Sequence, residues 1–190
     1  MFERYPAASR RVVFFARCEA VHRGVSAISP EDLLLGLTWE EGTRADRIAN
    51  LKEKALLVRA ALGIPHRPMT SIPYGEERNL PLTNESKRVL AYASFEANDD
   101  KEFQIDTDHL LRALLRERTS ASDAVEKLGV SLSTLRAASR QDRLHHPAEK
   151  PPWYWKPPFL VKRSEWATAG LLLILILLIA GGRLWSFMHS

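Results

Sequence analysis

Two short stretches of the chain place carboxylates beside residues that start helices. The first is Ser-Pro-Glu-Asp at residues 29–32, and the second is Asp-Thr-Asp-His at residues 106–109. A carboxylate binds a guanidinium group through two parallel hydrogen bonds, and the free N–H groups of a helix N-terminus bind phosphate. The acids of these stretches, Glu31 and Asp32 in the first and Asp108 in the second, are therefore candidate ligands for a charged group. The alternative is that they only stabilise the helix dipole, by about 0.3–1 kcal/mol each.

Other reactive side chains are sparse. Cys18 is the single cysteine, so the chain forms no internal disulfide, which fits a reducing compartment. Its apolar surroundings predict a buried thiol and not a nucleophile. His145 and His146 are adjacent histidines without further ligands at a metal-binding spacing. The sequence therefore predicts no metal, no cofactor and no catalytic residue.

The residues around both acidic stretches are duplicated at an offset of 77 residues. SRRVVFFARCEA matches SKRVLAYASFEA, and ISPEDLLLGLTWE matches IDTDHLLRALLRE. Between residues 9–40 and 86–117, 11 of 32 positions are identical without a gap. The same offset brings Arg59 onto Arg136. An ungapped match of this length indicates an internal duplication.

Both copies are predicted to consist of four helices. Apolar residues recur with helical spacing in the first stretch of each copy, and the second helices begin at residues 29–30 and 106–107. Two shorter helices follow in each copy. In the second copy, Ser122 and Ser131 are predicted to cap these helices. In the first copy, Gly63 and Pro65 are predicted to end the fourth helix.

The two repeats are expected to form one all-α domain. A single short repeat would expose much of its apolar surface, whereas two repeats packed as a pseudo-twofold pair share a core. We expect the domain over residues 1–142, with repeats at about 1–63 and 80–142. This symmetry places Glu31 and Asp108 in separate, equivalent positions. It disfavours a hydrolase that would use them as an acid–base pair.

A hydrophobic segment lies near the C-terminus. Residues 166–182 are 17 residues without a charge, at the lower end of the roughly 17–25 residues that cross a bilayer. Arg183 can reach the interface, and Trp166 and Trp185 stand where interfacial aromatics are typical. We expect a transmembrane helix at 164–188. The alternative, a core helix surrounded by protein on every face, needs more protein than this chain offers.

The flanking residues predict the orientation of this segment. Lys156, Lys162 and Arg163 precede it and Arg183 alone follows it, so the positive-inside rule places the N-terminal domain in the cytoplasm. We expect a single-pass, tail-anchored protein of a membrane, the bacterial inner membrane in particular. Residues 143–163 include five of the 11 prolines. They predict a stiff spacer whose aromatic residues contact lipid headgroups. Alternatively, this segment is a ligand for a proline-recognition domain.

The formal net charge of +4 does not indicate nucleic-acid binding. Residues 151–190 hold four basic residues and one acidic residue, so most of the excess lies beside the hydrophobic segment. The rest of the chain is nearly neutral. We therefore expect protein and lipid-bilayer partners, and no nucleic acid.

The sequence resembles a known family in the motifs MFERY, RRVVFFARCEA and I-x-x-E-D-LLLGL, and in their repetition. The family is the Clp N-terminal (Clp R repeat) domain of ClpC/ClpA-type AAA+ unfoldases, and the resemblance covers residues 1–140. It implies an all-helical module that binds substrates and adaptors. The phosphate-loop motif G-x-x-x-x-G-K-[ST], which the ATPase part of such an unfoldase needs, does not occur in the sequence.

The resemblance also implies ligand-binding residues. In ClpC-type relatives, the Glu of each helix-start motif and a Thr near the start of each repeat form two phosphoarginine pockets. Glu31 stands at the first acid position, Asp108 at the second, and Thr83 at the second threonine. Pro6, which has no hydroxyl, replaces the first threonine. The implied phosphoarginine or peptide site therefore comprises Glu31, Thr83 and Asp108.

Two functions stay open from the sequence. The first is a non-catalytic, membrane-tethered module that binds protein or peptide segments, has a Clp unfoldase or its adaptor as a partner, and recruits substrates to a Clp protease. The alternative is a structural or assembly protein that binds a membrane partner unrelated to proteolysis.

Overall fold

The structure is a computed structural model that describes residues 3–66 and 80–147, all within one compact unit, Met1–Trp155. The described residues form eight α-helices and no strand. These helices are α1 (Ala7–Arg23), α2 (Pro30–Trp39), α3 (Arg44–Ala49), α4 (Ala55–Leu62), α5 (Asn84–Asp99), α6 (Thr107–Glu117), α7 (Ser120–Lys127) and α8 (Leu132–His145). The all-α prediction is confirmed for this part of the chain.

The helices fall into two series of four that follow the repeat. The first, second and fourth helices of the two series begin at positions 77 residues apart. We call α1–α4 repeat 1 and α5–α8 repeat 2. Residues that are 77 positions apart are called equivalent.

The helix starts follow the capping chemistry of the sequence. Ser29 is the N-cap of α2, Asp106 that of α6, and Ser131 that of α8. The prediction that Ser122 caps a helix is wrong, because Thr119 is the N-cap of α7. The Ser122 hydroxyl accepts a hydrogen bond from the Thr119 N–H at 2.9 Å. A capping box uses two polar residues three apart, so a serine in a sequence marks either partner.

The fourth helices end differently in the two repeats. Gly63 follows α4 with φ of 67°, a left-handed conformation that favours glycine, and it ends the helix as predicted. In repeat 2, α8 runs on to His145, beyond the predicted repeat end at residue 142. The last turn of α8 therefore has no helical counterpart in repeat 1.

The two repeats are joined through the segments that precede their helices. Ile28 N–H donates to the Pro81 carbonyl at 2.8 Å, and Thr83 N–H donates to the Ile28 carbonyl at 3.0 Å. At the equivalent place, Ile105 N–H donates to the Arg4 carbonyl at 2.7 Å. Each repeat therefore holds the start of the other in place.

A shared cluster of buried apolar side chains lies between the repeats. The second helix of each repeat supplies its centre, with Leu34 and Leu111 fully buried. Cys18, which is 5% exposed, lies among the buried residues as predicted. Burial raises the pKa of its thiol, so the thiolate is disfavoured.

Helices α1 and α2 approach closely at Gly36. A Cβ atom at this position would lie 2.3 Å from the Val12 carbonyl oxygen and 3.0 Å from the Ala16 nitrogen. These distances leave no room for a side chain. Gly36 thereby fixes the spacing between α1 and α2, the helix that begins in the first acidic stretch.

The predicted transmembrane helix at 164–188, with Trp166, Arg183 and Trp185, lies outside the described residues, as does the spacer from residue 148 onward. Among the helices of residues 3–66 and 80–147, none combines the length and the apolar character needed to span a bilayer.

Candidate functional site

Glu31 lies in the first turn of α2 and is partly exposed. Its carboxylate accepts a hydrogen bond from the Ser120 hydroxyl at the start of α7, so the first acid of repeat 1 faces repeat 2. Burial acts to raise the pKa of Glu31, but hydrogen bonds from Ser120 and Ser29 and from the helix N-terminus outweigh it and lower that pKa. Glu31 is therefore an ionised acceptor at neutral pH.

The neighbouring Asp32 has a different task. It is fully buried and accepts hydrogen bonds from both the N–H and the hydroxyl of Ser29, each at 2.9 Å. Arg23 of α1 donates to its other oxygen at 2.6 Å. Burial raises the pKa of Asp32 in spite of these partners. Asp32 ties α1 to the start of α2, which leaves Glu31 as the more accessible acid of the pair.

Asp108, the second predicted acid, is fully buried. Arg44 Nη1 lies 3.5 Å from one carboxylate oxygen and Arg112 Nη2 lies 3.3 Å from the other. Burial acts to raise the pKa of Asp108, but the interactions with His109, Arg112 and Arg44 outweigh it and lower that pKa. The guanidinium groups that this carboxylate meets belong to the chain itself, so it is not presented to an external ligand in this structure.

Thr83 is the N-cap of α5 and is partly buried. Its hydroxyl oxygen accepts a hydrogen bond from Ser86 N–H at 3.2 Å, which satisfies one of the free amides at the helix start. Pro6 occupies the equivalent N-cap of α1 without a side-chain bond. Thr83 therefore caps a helix, and within the described residues no hydrogen bond joins it to Asp108 or Glu31.

Asp108 belongs to a buried ion network that sequence reasoning missed. Arg44 Nη1 donates to Glu102 at 2.8 Å, and Arg143 binds both oxygens of Asp100 at 2.8 and 3.0 Å. Arg112 also binds Asp100. Arg44 comes from repeat 1 and Arg143 from the last turn of α8, so no local spacing in the sequence could have brought these charges together.

Three members of this network have atoms that suit a divalent cation. One ligand atom from each of Asp100, Asp108 and His109 lies within 4.8 Å of the others. The carboxylates, however, already bind guanidinium groups of Arg112 and Arg44. A divalent cation would have to displace these positive charges, so the cluster is better suited to internal ion pairing than to metal binding.

Two further ion pairs occur in both repeats, and the sequence does carry a signal for them. Glu19 of α1 is buried and paired with Arg59 of α4. At the equivalent place, Glu96 of α5 is buried and accepts a hydrogen bond from Arg136 Nε of α8 at 3.2 Å. Identical residues at both positions of the 77-residue offset mark this pair.

The Arg11–Glu40 pair of repeat 1 also has an equivalent, Arg88–Glu117, in repeat 2. Arg11 Nη2 lies 2.7 Å from Glu40, and Arg88 Nη2 lies 2.6 Å from Glu117. Both pairs join the first helix of a repeat to the C-terminal end of its second helix, where Glu40 follows α2 and Glu117 is the last residue of α6.

Two pockets lie beside α4 in repeat 1. Their volumes are about 460 and 270 Å³, and Arg59 lines both. The larger pocket is lined by Glu19, Arg23, Leu62 and Ile64 among others, and the smaller by Trp39, Lys52 and Leu56 among others. We call the two pockets together the α4 groove. No local motif marks these pockets in the sequence, but Trp39 and Leu56 break the repeat, which has Arg116 and Ser133 at the equivalent positions.

Comparison with known proteins relates this geometry to a known family. Residues 81–152, which include all of repeat 2, match the model of the Clp repeat (R) N-terminal domain. The described domain therefore resembles a Clp N-terminal repeat domain, with homology to ClpA- and ClpC-type proteins.

The similar curated proteins are much longer than this chain. A ClpA homolog of Porphyra purpurea, described as an ATP-dependent Clp protease ATP-binding subunit, is 32% identical over 143 residues, which is 72% of this chain and 17% of that protein. The chaperone protein ClpB of Oceanobacillus iheyensis is 30% identical over 142 residues, again 72% of this chain and 17% of that protein. The chain thus spans about a sixth of the length of these relatives.

Solved structures show the same fold. The N-terminal domain of ClpD from Arabidopsis thaliana superposes with a TM-score of 0.57 at 21% identity, covering 76% of this chain and 97% of that domain. A chain from a malarial protein secretion system gives a TM-score of 0.60 at 18% identity, covering 73% of this chain and 94% of that one.

Proposed function

We propose that this protein is a non-catalytic binding module that captures protein or peptide segments at a membrane surface and hands them to a Clp unfoldase or its adaptor. The observation that carries the proposal is the homology of the described domain to the N-terminal part of ClpA- and ClpC-type proteins. Such a domain provides binding surfaces, and the chemistry of unfolding would be supplied by a separate partner.

The surface of the described residues supports a binding role. Glu31 offers an ionised, partly exposed carboxylate at a helix start, the arrangement that suits a guanidinium group of a ligand. We assign the ligand contact of the predicted site to Glu31. Asp108 and Thr83 are assigned to stabilising the fold, because the first is buried among arginines and the second caps α5.

The membrane attachment is proposed from the sequence. The uncharged run at residues 166–182, with Trp166 and Trp185 at its ends and Arg183 at its C-terminal edge, would hold the domain at the cytoplasmic face of a bilayer as a single-pass anchor. Attachment would concentrate the binding surface where membrane-associated substrates meet a Clp protease.

The proposal is tested by co-purification. The full chain with an epitope tag is solubilised from membranes and recovered, together with a Glu31→Gln variant and an Arg10→Gln variant as a control for surface charge. We expect the wild type and the control to recover a Clp unfoldase, its adaptor or their substrates, and Glu31→Gln to recover less. Recovery of none of these by the wild type would overturn the proposal.

The assembly role makes a different prediction in the same experiment. A structural protein would recover membrane partners unrelated to proteolysis, and Glu31→Gln would not change their amounts. Titration of phosphoarginine into the solubilised full chain adds a second measurement, since loss of binding in Glu31→Gln would assign the guanidinium contact to this residue.

A further inference from the structure

One residue of the α4 groove has an equivalent in repeat 2 that is bound by an arginine of the same chain. Arg23, which lines the larger pocket, is equivalent to Asp100. In repeat 2 the last turn of α8 brings Arg143 onto Asp100, with two hydrogen bonds of 2.8 and 3.0 Å. Because α4 ends at Leu62, repeat 1 has no helical turn that reaches Arg23 in this way.

The charges at these equivalent places are reversed. In repeat 1, the cation Arg23 binds the anion Asp32 at 2.6 Å. In repeat 2, the anion Asp100 stands at the position of Arg23, and His109 stands at the position of Asp32, with 3.3 Å between His109 Nε2 and Asp100. Repeat 2 satisfies its anion with an arginine of the same chain. Within the described residues, Asp32 accepts from Arg23 through Nη1 alone, so the other N–H groups of this guanidinium can donate to a ligand of the opposite charge, a carboxylate.

The lining of the α4 groove as a whole favours an anion. Among the described residues that line the two pockets, Arg23, Lys52 and Arg59 are cationic and Glu19 is the one carboxylate. Arg23 is also paired with Asp32, which is not among these lining residues. Glu19 is itself paired with Arg59. Lys52 is exposed, and the Arg23 side chain is 29% exposed, so both are within reach of a ligand.

The smaller pocket supplies an apolar surface. Leu56 is an apolar residue, yet its exposed fraction is 60%, and it lines the same pocket as Trp39. The Trp39 ring is stacked on Phe15, with 5.8 Å between ring centroids, so its face is held in a fixed orientation. The equivalent residues in repeat 2 are polar, Arg116 and Ser133. The exposed apolar surface is therefore a property of repeat 1 and not of the fold.

We propose that the α4 groove binds an acidic peptide segment of a partner protein, with one apolar side chain on Trp39 and Leu56 and a nearby carboxylate on Arg23. The proposal rests on the protein-binding role proposed above and names the chemistry of the partner. Residues 151–163 of the chain itself do not fit, because they carry Lys156, Lys162 and Arg163 and no acid. An aromatic side chain in a fixed orientation beside cationic side chains is a suitable site for such a segment.

The first test uses two matched pools of fluorescein-labelled nine-residue peptides and the full chain in detergent micelles. Each peptide carries a central leucine or phenylalanine. The acidic pool has aspartate or glutamate at two positions near it, and the neutral pool has asparagine or glutamine there. We expect the acidic pool to bind about fivefold or more tightly than the neutral pool in fluorescence anisotropy. Equal binding of the two pools would overturn the proposal.

The apolar contact is tested with a pair of neighbouring leucines. Leu56→Ser copies the residue of repeat 2 and should weaken binding of the acidic pool by about tenfold, because a leucine side chain is lost from the contact. Leu57→Ser is the matched control, since Leu57 is 56% exposed but is not among the residues that line either pocket. The same loss in both variants would place the binding site elsewhere.

The charge contact is tested by making repeat 1 like repeat 2. The double variant Arg23→Asp with Asp32→His copies the Asp100–His109 pair and should abolish the preference for the acidic pool. If circular dichroism shows that this variant does not fold, Lys52→Gln, at an exposed position, is measured in its place. We expect Lys52→Gln to weaken the preference for the acidic pool over the neutral pool. Arg10→Gln, on the exposed surface of α1, should leave the preference unchanged.

Two further outcomes separate this proposal from its alternatives. Binding of phosphatidylserine added to the micelles, in place of either peptide pool, would overturn it in favour of a lipid. Co-purification of protein partners that Leu56→Ser leaves unchanged would overturn the groove assignment while the general binding role stands. If the wild type recovers no partner, the proposed function itself is overturned.

Discussion

The two repeats share a backbone plan but have different interiors. At the centre of the second helix, repeat 1 has Leu35 and repeat 2 has Arg112, and both side chains are almost fully buried. Repeat 1 is held there by apolar packing, whereas repeat 2 is held by a network of acids and arginines. A buried arginine is tolerated only where several carboxylates surround it.

This difference extends to the surface. Repeat 2 uses Arg143 from the long α8 to satisfy Asp100, and so covers the place that is equivalent to Arg23. Repeat 1, with its short α4, leaves a groove there. The two repeats therefore differ at equivalent places. In repeat 2, Arg143 binds Asp100, whereas repeat 1 presents a cationic and apolar surface.

The largest expected effect comes from breaking the network that links the repeats. Arg44 is buried and lies within 3.5 Å of both Glu102 and Asp108. Arg44→Ala leaves these carboxylates buried without their partner, so we expect a loss of about 3–5 kcal/mol in the free energy of unfolding. Urea unfolding followed by circular dichroism measures it.

Arg47→Ala is the control for this prediction. Arg47 is on the same helix and binds Asp142 at 2.8 Å, but its side chain is 35% exposed. We expect it to cost about 1 kcal/mol or less. Equal losses in the two variants would show that the buried network is no more important than a surface pair.

The second prediction compares the helix contacts of the two repeats. Gly36→Ala would place a Cβ 2.3 Å from the Val12 carbonyl oxygen, so the helices must move apart. We expect a loss of about 1–3 kcal/mol in the free energy of unfolding. Repeat 2 has an alanine, Ala113, at the equivalent position.

Ala113→Gly in repeat 2 serves as the matched change. It removes a methyl group from a buried helix position, which should cost about 1 kcal/mol through helix propensity alone, plus the loss of buried contact. A neutral Gly36→Ala would mean that α1 and α2 can move apart without cost.

The third prediction concerns opposite pH dependences in the two repeats. The hydrogen bond from Arg47 lowers the pKa of Asp142 in repeat 2. A lowered pKa stabilises the fold fully above the unfolded value of about 3.9 and less as the pH falls below it. The cost of Asp142→Asn, about 1–2 kcal/mol at pH 7, should therefore shrink between pH 5 and pH 2.

Asp32 of repeat 1 should behave in the opposite way. Burial raises its pKa, so the folded state takes up a proton before the unfolded chain does as the pH falls. The cost of Asp32→Asn should therefore grow as the pH falls from 7 toward about 4, the range above the unfolded pKa. Urea midpoints at several pH values give both trends, and parallel trends would contradict this comparison.

The sequence was sufficient for the parts of the fold that depend on local or repeated signals. Serine, aspartate and glycine predicted the starts of α2, α6 and α8 and the end of α4. Identity at the 77-residue offset marks the Glu19–Arg59 pair and its equivalent. The buried state of Asp108 was not predictable in this way. It depends on Arg44 from the other repeat and on Arg112, which stands where repeat 1 has a leucine.

The α4 groove was missed for a related reason. It exists because α4 stops at Gly63 while α8 continues, and a single turn of helix has no strong signal in the sequence. What the sequence did contain was the break in the repeat at Trp39 and Leu56, where apolar residues replace polar ones. Differences between repeats are thus as informative about a site as the identities are about the fold.

The smallest expected effect concerns the surface pairs that the repeats share. Arg11–Glu40 and Arg88–Glu117 have similar geometry, and both arginines are about half exposed. Arg11→Ala and Arg88→Ala should each leave the Tm within about 2 °C of wild type, and the two shifts should be equal and should vanish in 1 M salt. Thermal unfolding at low and high salt measures this. A larger loss for Arg88→Ala alone would mean that its added contact with Glu85, at 3.2 Å, connects the surface of repeat 2 to its stability in a way that repeat 1 lacks.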